Sequence, residues 1–384
     1  MQRHGVTIPL NSVPLSAHRR IIEELPDLGY TDAWSGEAAG YDGFTPLALA
    51  AAWAPSLRVG TAVVPVQTRG PALLAMTVAT LAEAAPGRVA VGVGSSGPPF
   101  VTRINGIPFE HPYRHVRDTV RFLRAALAGR SVRGVFDSFT IEDYRPALHP
   151  DPVPPVLVGA LRPQMLRLAA READGLVTNF LAVEDLRPVK EAMGPEGVGK
   201  EIVARLFVCP TGDLAHARAR GRALLGPILN ARTYSAFHSW LGRDDELAAS
   251  RRAWVSGDLR GAGDALPDAL VDALLVHGKP EECREKVAAY VAAGVTTPLL
   301  AMLPAPEFGA GPGGTLAALR ALAPAGWGRP SQHSMTPLLR RGVAPIVLWI
   351  ANYQIMSSRM AARTPTQEAQ CPVSRPRWIR RMSD

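Results

Sequence analysis

Residues 58–97 read RVGTAVVPVQTRGPALLAMTVATLAEAAPGRVAVGVGSSG. A β-branched apolar run, Val59 to Val66, stops at Thr68-Arg69-Gly70-Pro71. A helix-period run follows (Leu73, Leu74, Met76, Val78, Leu81), and Pro86-Gly87 ends it. A second apolar run, Val89 to Val93, breaks into Gly94-Ser95-Ser96-Gly97-Pro98. Strand, helix and strand over this span predict a βαβ crossover. Both strands are apolar throughout, as parallel strands covered on both faces must be. The loops that follow such strands are where these folds carry their chemistry.

Working outward, the alternation continues in both directions. Strands are predicted at Val6–Pro9, Thr31–Ser35, Val156–Val158, Leu176–Thr178, Ile202–Val208 and Pro298–Met302. Helices are predicted at Ser16–Leu28, Thr45–Trp53, Val116–Leu127, Pro163–Arg171, Val183–Met193, Pro280–Ala293 and Leu316–Leu322, with Thr45 read as the cap of its helix. Val132–Ile141 reads as a small hairpin around Gly134. Eight strands, each followed by a helix, are the count of a (β/α)8 TIM barrel; a doubly wound sheet needs fewer. Residues 213–275 are mostly helical by period, interrupted at Gly257–Gly263, and longer than a crossover needs, so they read as a helical insertion late in the barrel. The expected organisation is a barrel over 1–325 and a basic, Arg-rich, poorly ordered tail over 326–384.

The net charge of +8 suggests nucleic acid until it is located. The segment 326–384 carries +7 of it, and the remainder of the chain is close to neutral. No nucleic-acid partner is therefore expected of the barrel, while a basic arm that binds an anionic partner stays open for the tail. Cys209, Cys283 and Cys371 are widely separated and form no CxxC pair, which argues against a disulfide framework or zinc ribbon and for a reducing, cytoplasmic setting. No leader-like apolar stretch follows Met1, and no run of eighteen apolar residues occurs, so no membrane association is expected. The nine histidines include no HxH or HExxH pair, and no metal is expected. His111 and His115 are four apart at a helix start, where solvated histidines are the simpler reading.

Gly92-Val-Gly94-Ser-Ser-Gly97 satisfies GxGxxG, but the dinucleotide fingerprint opens a helix after the first strand of its fold. Here Pro98 and Pro99 follow, and at least three strands come before. What survives is a loop of small residues at a strand's C-terminal end, able to let a flat ring or a phosphate come close. Glu37 and Asp42 follow the second strand in Ser-Gly-Glu-Ala-Ala-Gly-Tyr-Asp-Gly. Carboxylates there are candidate catalytic groups and equally candidate loop caps.

These motifs, in order, are similar to the bacterial-luciferase-like superfamily, and more narrowly to its coenzyme F420-dependent branch. The pieces are Gly29-Tyr-Thr-Asp-Ala-Trp-Ser-Gly-Glu, Tyr41-Asp-Gly-Phe-Thr-Pro, Gly60-Thr-Ala-Val-Val-Pro-Val-Gln-Thr-Arg-Gly-Pro, Gly87-Arg-Val-Ala-Val-Gly-Val-Gly-Ser-Ser-Gly-Pro and Val156-Leu-Val-Gly-Ala-Leu-Arg-Pro. The resemblance spans about residues 5–325. It implies a deazaflavin, or alternatively FMN, at the C-terminal mouth of the barrel. It implies a non-prolyl cis peptide at Ala62–Val63 behind the ring, and a ring-facing loop of Gly94, Ser95, Ser96, Gly97 and Pro98. Gly159, Ala160, Leu161 and Arg162 would hold the phosphate through backbone N–H groups, and Asn179 with Phe180 would line the mouth. Several relatives place a histidine one position after the acid of the second-strand loop; here that position is Ala38.

Three functions follow. The first is an F420-dependent oxidoreductase moving hydride to or from a small organic substrate. The second is an FMN-dependent monooxygenase using reduced flavin and O2. The third is a non-catalytic protein that binds cofactor or an anion. The substrate is not legible, and a homodimer is left open.

Overall fold

The computed structural model describes residues 2–38 and 40–324. The expectation for the tail, 326–384, lies outside the described residues.

Eight parallel strands close into a barrel: β1 (Gly5–Thr7), β2 (Asp32–Ser35), β3 (Arg58–Thr61), β4 (Val89–Gly94), β5 (Val156–Gly159), β6 (Gly175–Asn179), β7 (Glu201–Pro210) and β8 (Thr297–Met302). Each pairs with its neighbours in chain order, and β8 pairs with β1 to complete the ring. All eight predicted strands are found, and the fold is a (β/α)8 TIM barrel. Inside, Trp34, Ala90, Leu157, Val177, Val203 and Leu299 form a packed layer. Gly60 makes room for the largest of them: a Cβ there would stand 2.5 Å from the Trp34 ring. The opposite strand faces meet the helices in the larger core, where Val6, Val59, Val91 and Val158 are buried. Two buried faces per strand explain why the strands read as unbroken apolar runs.

The N-terminal end of the barrel is closed by charge. Arg58, on β3, donates both guanidinium arms to Glu201 on β7, at 2.7 and 2.9 Å. Its Nη1 lies 3.6 Å from Asp32 on β2, and the guanidinium sits 5.2 Å from the centre of the Trp34 ring. Burial pushes the Glu201 carboxyl up, and the Arg58 fork more than reverses this, so it ends below the usual carboxylate range.

Several local expectations change. Thr45 does not cap its helix; Asp42 does, accepting from the N–H groups of Phe44 (2.8 Å) and Thr45 (2.9 Å). The hairpin pairs Val132–Val135 with Thr140–Tyr144, so its turn lies at 136–139, and Gly134 sits at an irregularity in the first strand. The insertion holds five helices: Leu214–Asn230, Arg232–Trp240, Asp244–Val255, Leu259–Asp264 and Asp268–Leu274. The predicted break at Gly257–Gly263 is largely a helix, because its glycines serve contact: a Cβ on Gly226 would stand 2.8 Å from the Gly263 Cα. The three-residue strand Val276–Gly278 then adds outside the ring to the end of β7, too short to register as a period. Among the described residues no helix is long and apolar enough to cross a membrane.

Candidate active site

The C-terminal ends of the barrel strands form the mouth, and side-chain alternation decides what faces it. Val203 belongs to the interior layer, so Arg205 and Phe207, two and four residues on, face the same way. By the same rule Asn179 follows Val177, and Gly92 and Gly94 follow Ala90.

The back wall is Val63. The Ala62–Val63 peptide is cis. The Val63 carbonyl accepts the Glu37 N–H at 3.0 Å, which ties the segment to the loop after β2. Its side chain seats among three glycines. A Cβ on Gly94 would fall 2.7 Å from a Val63 methyl, and one on Gly92 or Gly159 at 3.2–3.3 Å. Gly92 and Gly94 of the GxGxxG match are thus packing glycines, and the match carries no dinucleotide meaning. Beyond them Ser96 takes φ 53°, the left-handed region that non-glycine residues seldom occupy. Gly97 then accepts from Phe100 and Val101 at the start of a wide helical turn, Pro99–Ile104.

Both predicted catalytic carboxylates have partners within the protein. Glu37 takes a fork from Arg69, with Nε at 2.9 Å and Nη2 at 2.6 Å from its Oε2, and accepts the Gly43 N–H at 3.0 Å. Asp42, besides capping helix 45–53, lies 3.7 Å from Arg69. Burial works against its charge, but the bonds from Thr45 and Phe44 hold its carboxyl below the usual range. The two acids and Arg69 therefore fasten the loops after β2 and β3 to each other.

At β5, the Ala160 N–H is taken by the Val177 carbonyl at 3.0 Å, which removes it from the expected phosphate cradle. Among the described residues the N–H groups of Leu161, Arg162 and Gln164 have no acceptor, and they precede or open helix Pro163–Glu172. Free amides at a helix N-terminus suit an anion. A flat ring against Val63 with a phosphate at these amides fits the residues present.

On the far side, Phe180 takes φ 51° and stacks on Phe207, centroids 4.6 Å apart. Tyr234, from the insertion, donates its hydroxyl to Asn179 at 3.0 Å and meets the Phe180 ring edge-on. Phe207, Cys209, Ala301 and Leu303 from the ends of β7 and β8 share a core with Leu224, Leu225, Leu247 and Leu270 of the insertion. The insertion is thereby seated on the rim of the mouth. Arg205 lies between these groups, its guanidinium 4.8 Å from the centre of the Phe207 ring. Its Nε is buried with no hydrogen-bond partner, and no carboxylate pairs with it among the described residues. Burial lowers this guanidinium to about 10.

A family model described as luciferase-like monooxygenase matches residues 1–297. The chain belongs to the luciferase-like monooxygenase family. A putative coenzyme F420-dependent oxidoreductase of Mycobacterium tuberculosis is 27% identical over 74% of this chain and 90% of its own length. Among solved structures, the coenzyme F420-dependent tetrahydromethanopterin reductase of Methanopyrus kandleri superposes with a TM-score of 0.69, at 19% identity, over 84% of this chain and 97% of that one. The oxygenating constituent of a Baeyer–Villiger monooxygenase of Pseudomonas putida, in complex with FMN, superposes with 0.58, at 15% identity, over 84% and 97%.

In this luciferase-like chain the loop after β2, the Val63 segment and the ends of β4 and β5 bring together five of the residues read from the sequence: Glu37, Ala62, Val63, Gly94 and Gly159. Asp42 lies further out, as a helix cap. Arg205, Phe207 and Tyr234 were missed. Arg205 had a signal: it is the one charge inside Ile202–Val208, a run otherwise apolar enough to be buried on both faces. Tyr234 had none, since an insertion offers no barrel register. His111 and His115 form no metal site, and no group of potential metal ligands occurs among the described residues. Cys209 and Cys283 are buried, which pushes both thiols up to about 12 and leaves them poor nucleophiles.

Proposed function

We propose that the chain is a coenzyme F420-dependent oxidoreductase that moves hydride between the deazaflavin and an organic substrate at the C-terminal mouth of the barrel. The observation that carries this reading is Val63, bedded among Gly92, Gly94 and Gly159 as an apolar wall. The F420-dependent relatives support the choice of cofactor. A bound deazaflavin supplies a carbon that gives or takes hydride; the protein's part is to place it and keep water away.

The chain's own residues divide that work. Val63 backs the ring. The open amides of Leu161, Arg162 and Gln164 hold the phosphate. The loop Gly94–Pro98 borders the ring edge, and Asn179 with Tyr234 closes the opposite side. The insertion helices shield the mouth from solvent. Glu37 acts by position: its N–H bonds the Val63 carbonyl while its carboxylate grips Arg69, so one residue braces both sides of the wall. Ala38 contributes no proton-carrying group, and the proton that accompanies hydride comes from substrate or solvent.

FMN-dependent oxygenation is the second reading, favoured by the likeness to the FMN-bound oxygenase. A fluorescence titration separates the two. F420 should bind saturably and more tightly than FMN, and reduced F420 should be oxidised by an acceptor without oxygen. Tight FMN binding with oxygen-dependent turnover, and no response to F420, would replace the first reading by the second.

A further inference from the structure

We propose that Arg205 is the binding residue for the carboxylate of an organic acid substrate at the barrel mouth. The proposal rests on the reading of the mouth as the reaction site and deepens it by naming a substrate class.

The argument is one of unmatched charge. The other largely buried arginines have their answer within the chain. Arg58 faces Glu201 and Asp32. Arg243 bonds Asp185 at 2.8 Å. Among the described residues Arg205 pairs with no carboxylate and its Nε has no hydrogen-bond partner; its neighbours are the Phe207 face and the Tyr234 hydroxyl, which acts on it electrostatically. A ring face supports a guanidinium but leaves its in-plane N–H donors free, and those donors match a planar oxyanion in a two-bond fork. A buried Nε left without a partner is costly, so the position makes sense when an anion arrives. Arg205 is partly exposed, so the mouth gives access to it. The surroundings describe the rest of the ligand. Phe180, Phe207 and Tyr234 are aromatic, and the insertion core behind them is aliphatic. An acid with an apolar or aromatic body fits that environment better than a sugar or a polyanion.

Benzoate is the probe, with benzamide as its neutral isostere, titrated calorimetrically into full-length protein without cofactor at matched ionic strength. Benzoate should bind saturably and benzamide should not. Arg205→Met should weaken benzoate about 10- to 100-fold, as loss of a charged hydrogen-bond pair does. The same variant should melt about 2 °C above wild type without ligand, because an unmatched buried cation has been removed. Should Arg205→Met fail to fold, Arg205→Lys carries the test: it keeps the charge, loses the fork and should bind benzoate about 10-fold more weakly. Equal binding of benzoate and benzamide, or undiminished benzoate binding in a folded variant, overturns the proposal. So does a variant that loses F420 affinity and keeps its benzoate response, since the oxyanion would then belong to the cofactor ring. Failure of the cofactor reading looks different: neither F420 nor FMN binds, while benzoate still binds through Arg205.

Discussion

Two arginines stand on the inside of this barrel, one at each end, and each lies over an aromatic ring. At the N-terminal end Arg58 rests on Trp34 and is matched by Glu201 and Asp32. At the C-terminal end Arg205 rests on Phe207 and meets no carboxylate among the described residues. The same burial has opposite outcomes. Around Arg58 burial alone would lower the guanidinium, but the Glu201 fork raises it instead. At Arg205 burial is the larger effect, opposed only by the nearby Tyr234 oxygen, and it lowers the guanidinium to about 10. One end of the barrel is a finished structural plug. The other carries a guanidinium that no carboxylate answers among the described residues.

The largest test of this contrast is Arg58→Met. It takes the fork from Glu201 and leaves the buried Asp32 with Arg3 as its remaining cation, and it should destabilise the protein by about 3 kcal/mol in denaturant unfolding. A loss under about 1 kcal/mol would mean that the plug is decorative and the contrast empty. Next comes Glu37→Gln at the mouth. The amide can keep the Gly43 bond but loses the charged grip on Arg69, at about 1–2 kcal/mol in stability. The fault should appear as weaker F420 binding, with the pH dependence of kcat unchanged. If one limb of that pH profile vanished while affinity held, Glu37 would be moving a proton rather than bracing Val63. Arg205→Met should have the opposite sign to Arg58→Met, a gain of about 1 kcal/mol in the unliganded protein. A loss as large as that of Arg58→Met would make both arginines structural.

The sequence made the barrel legible because its rules are periodic. Every strand is buried on two faces, so each shows as an apolar run, and Pro or Gly marks the ends of the helices between them. At the mouth, glycine and proline spacing marks the small-residue loop from Gly92 to Pro98, while Val63 and Gly159 follow only from the resemblance to luciferase-like proteins. The partners of charged groups were not. Asp42 meets Thr45 and Phe44 locally, yet the choice between cap and acid needs geometry. Arg69 and Glu37 stand 32 positions apart, and Arg58 and Glu201 stand 143 apart. Such distances obey no period. Arg205 was legible in principle, as a charge where a strand should carry none, but only the structure shows that no carboxylate among the described residues answers it.

The finest test concerns the seal over the mouth. His238, on the second insertion helix, is buried beside Arg243, which grips Asp185 across the joint between insertion and barrel. Burial first, and then the Arg243 charge, depress the imidazole from 6.5 to about 3. The folded protein therefore keeps His238 neutral where the unfolded chain protonates it. Stability from this group is whole above about pH 6.5 and declines as pH falls from there toward 3. Between pH 7.5 and 6 the loss should be about 0.8 kcal/mol from this one residue. His238→Gln should remove that share of the slope in unfolding measurements across the interval. The acid limb below pH 4.5, where Glu201 at the opposite end takes up its proton, should persist in the variant. That limb has the ordinary carboxylate sign, since a depressed carboxyl stabilises above its unfolded value and stops doing so as acid neutralises it. If His238→Gln removed more of the slope below pH 4.5 than the His238 share, the two ends of the barrel would be energetically one unit, and the division between plug and mouth would not hold.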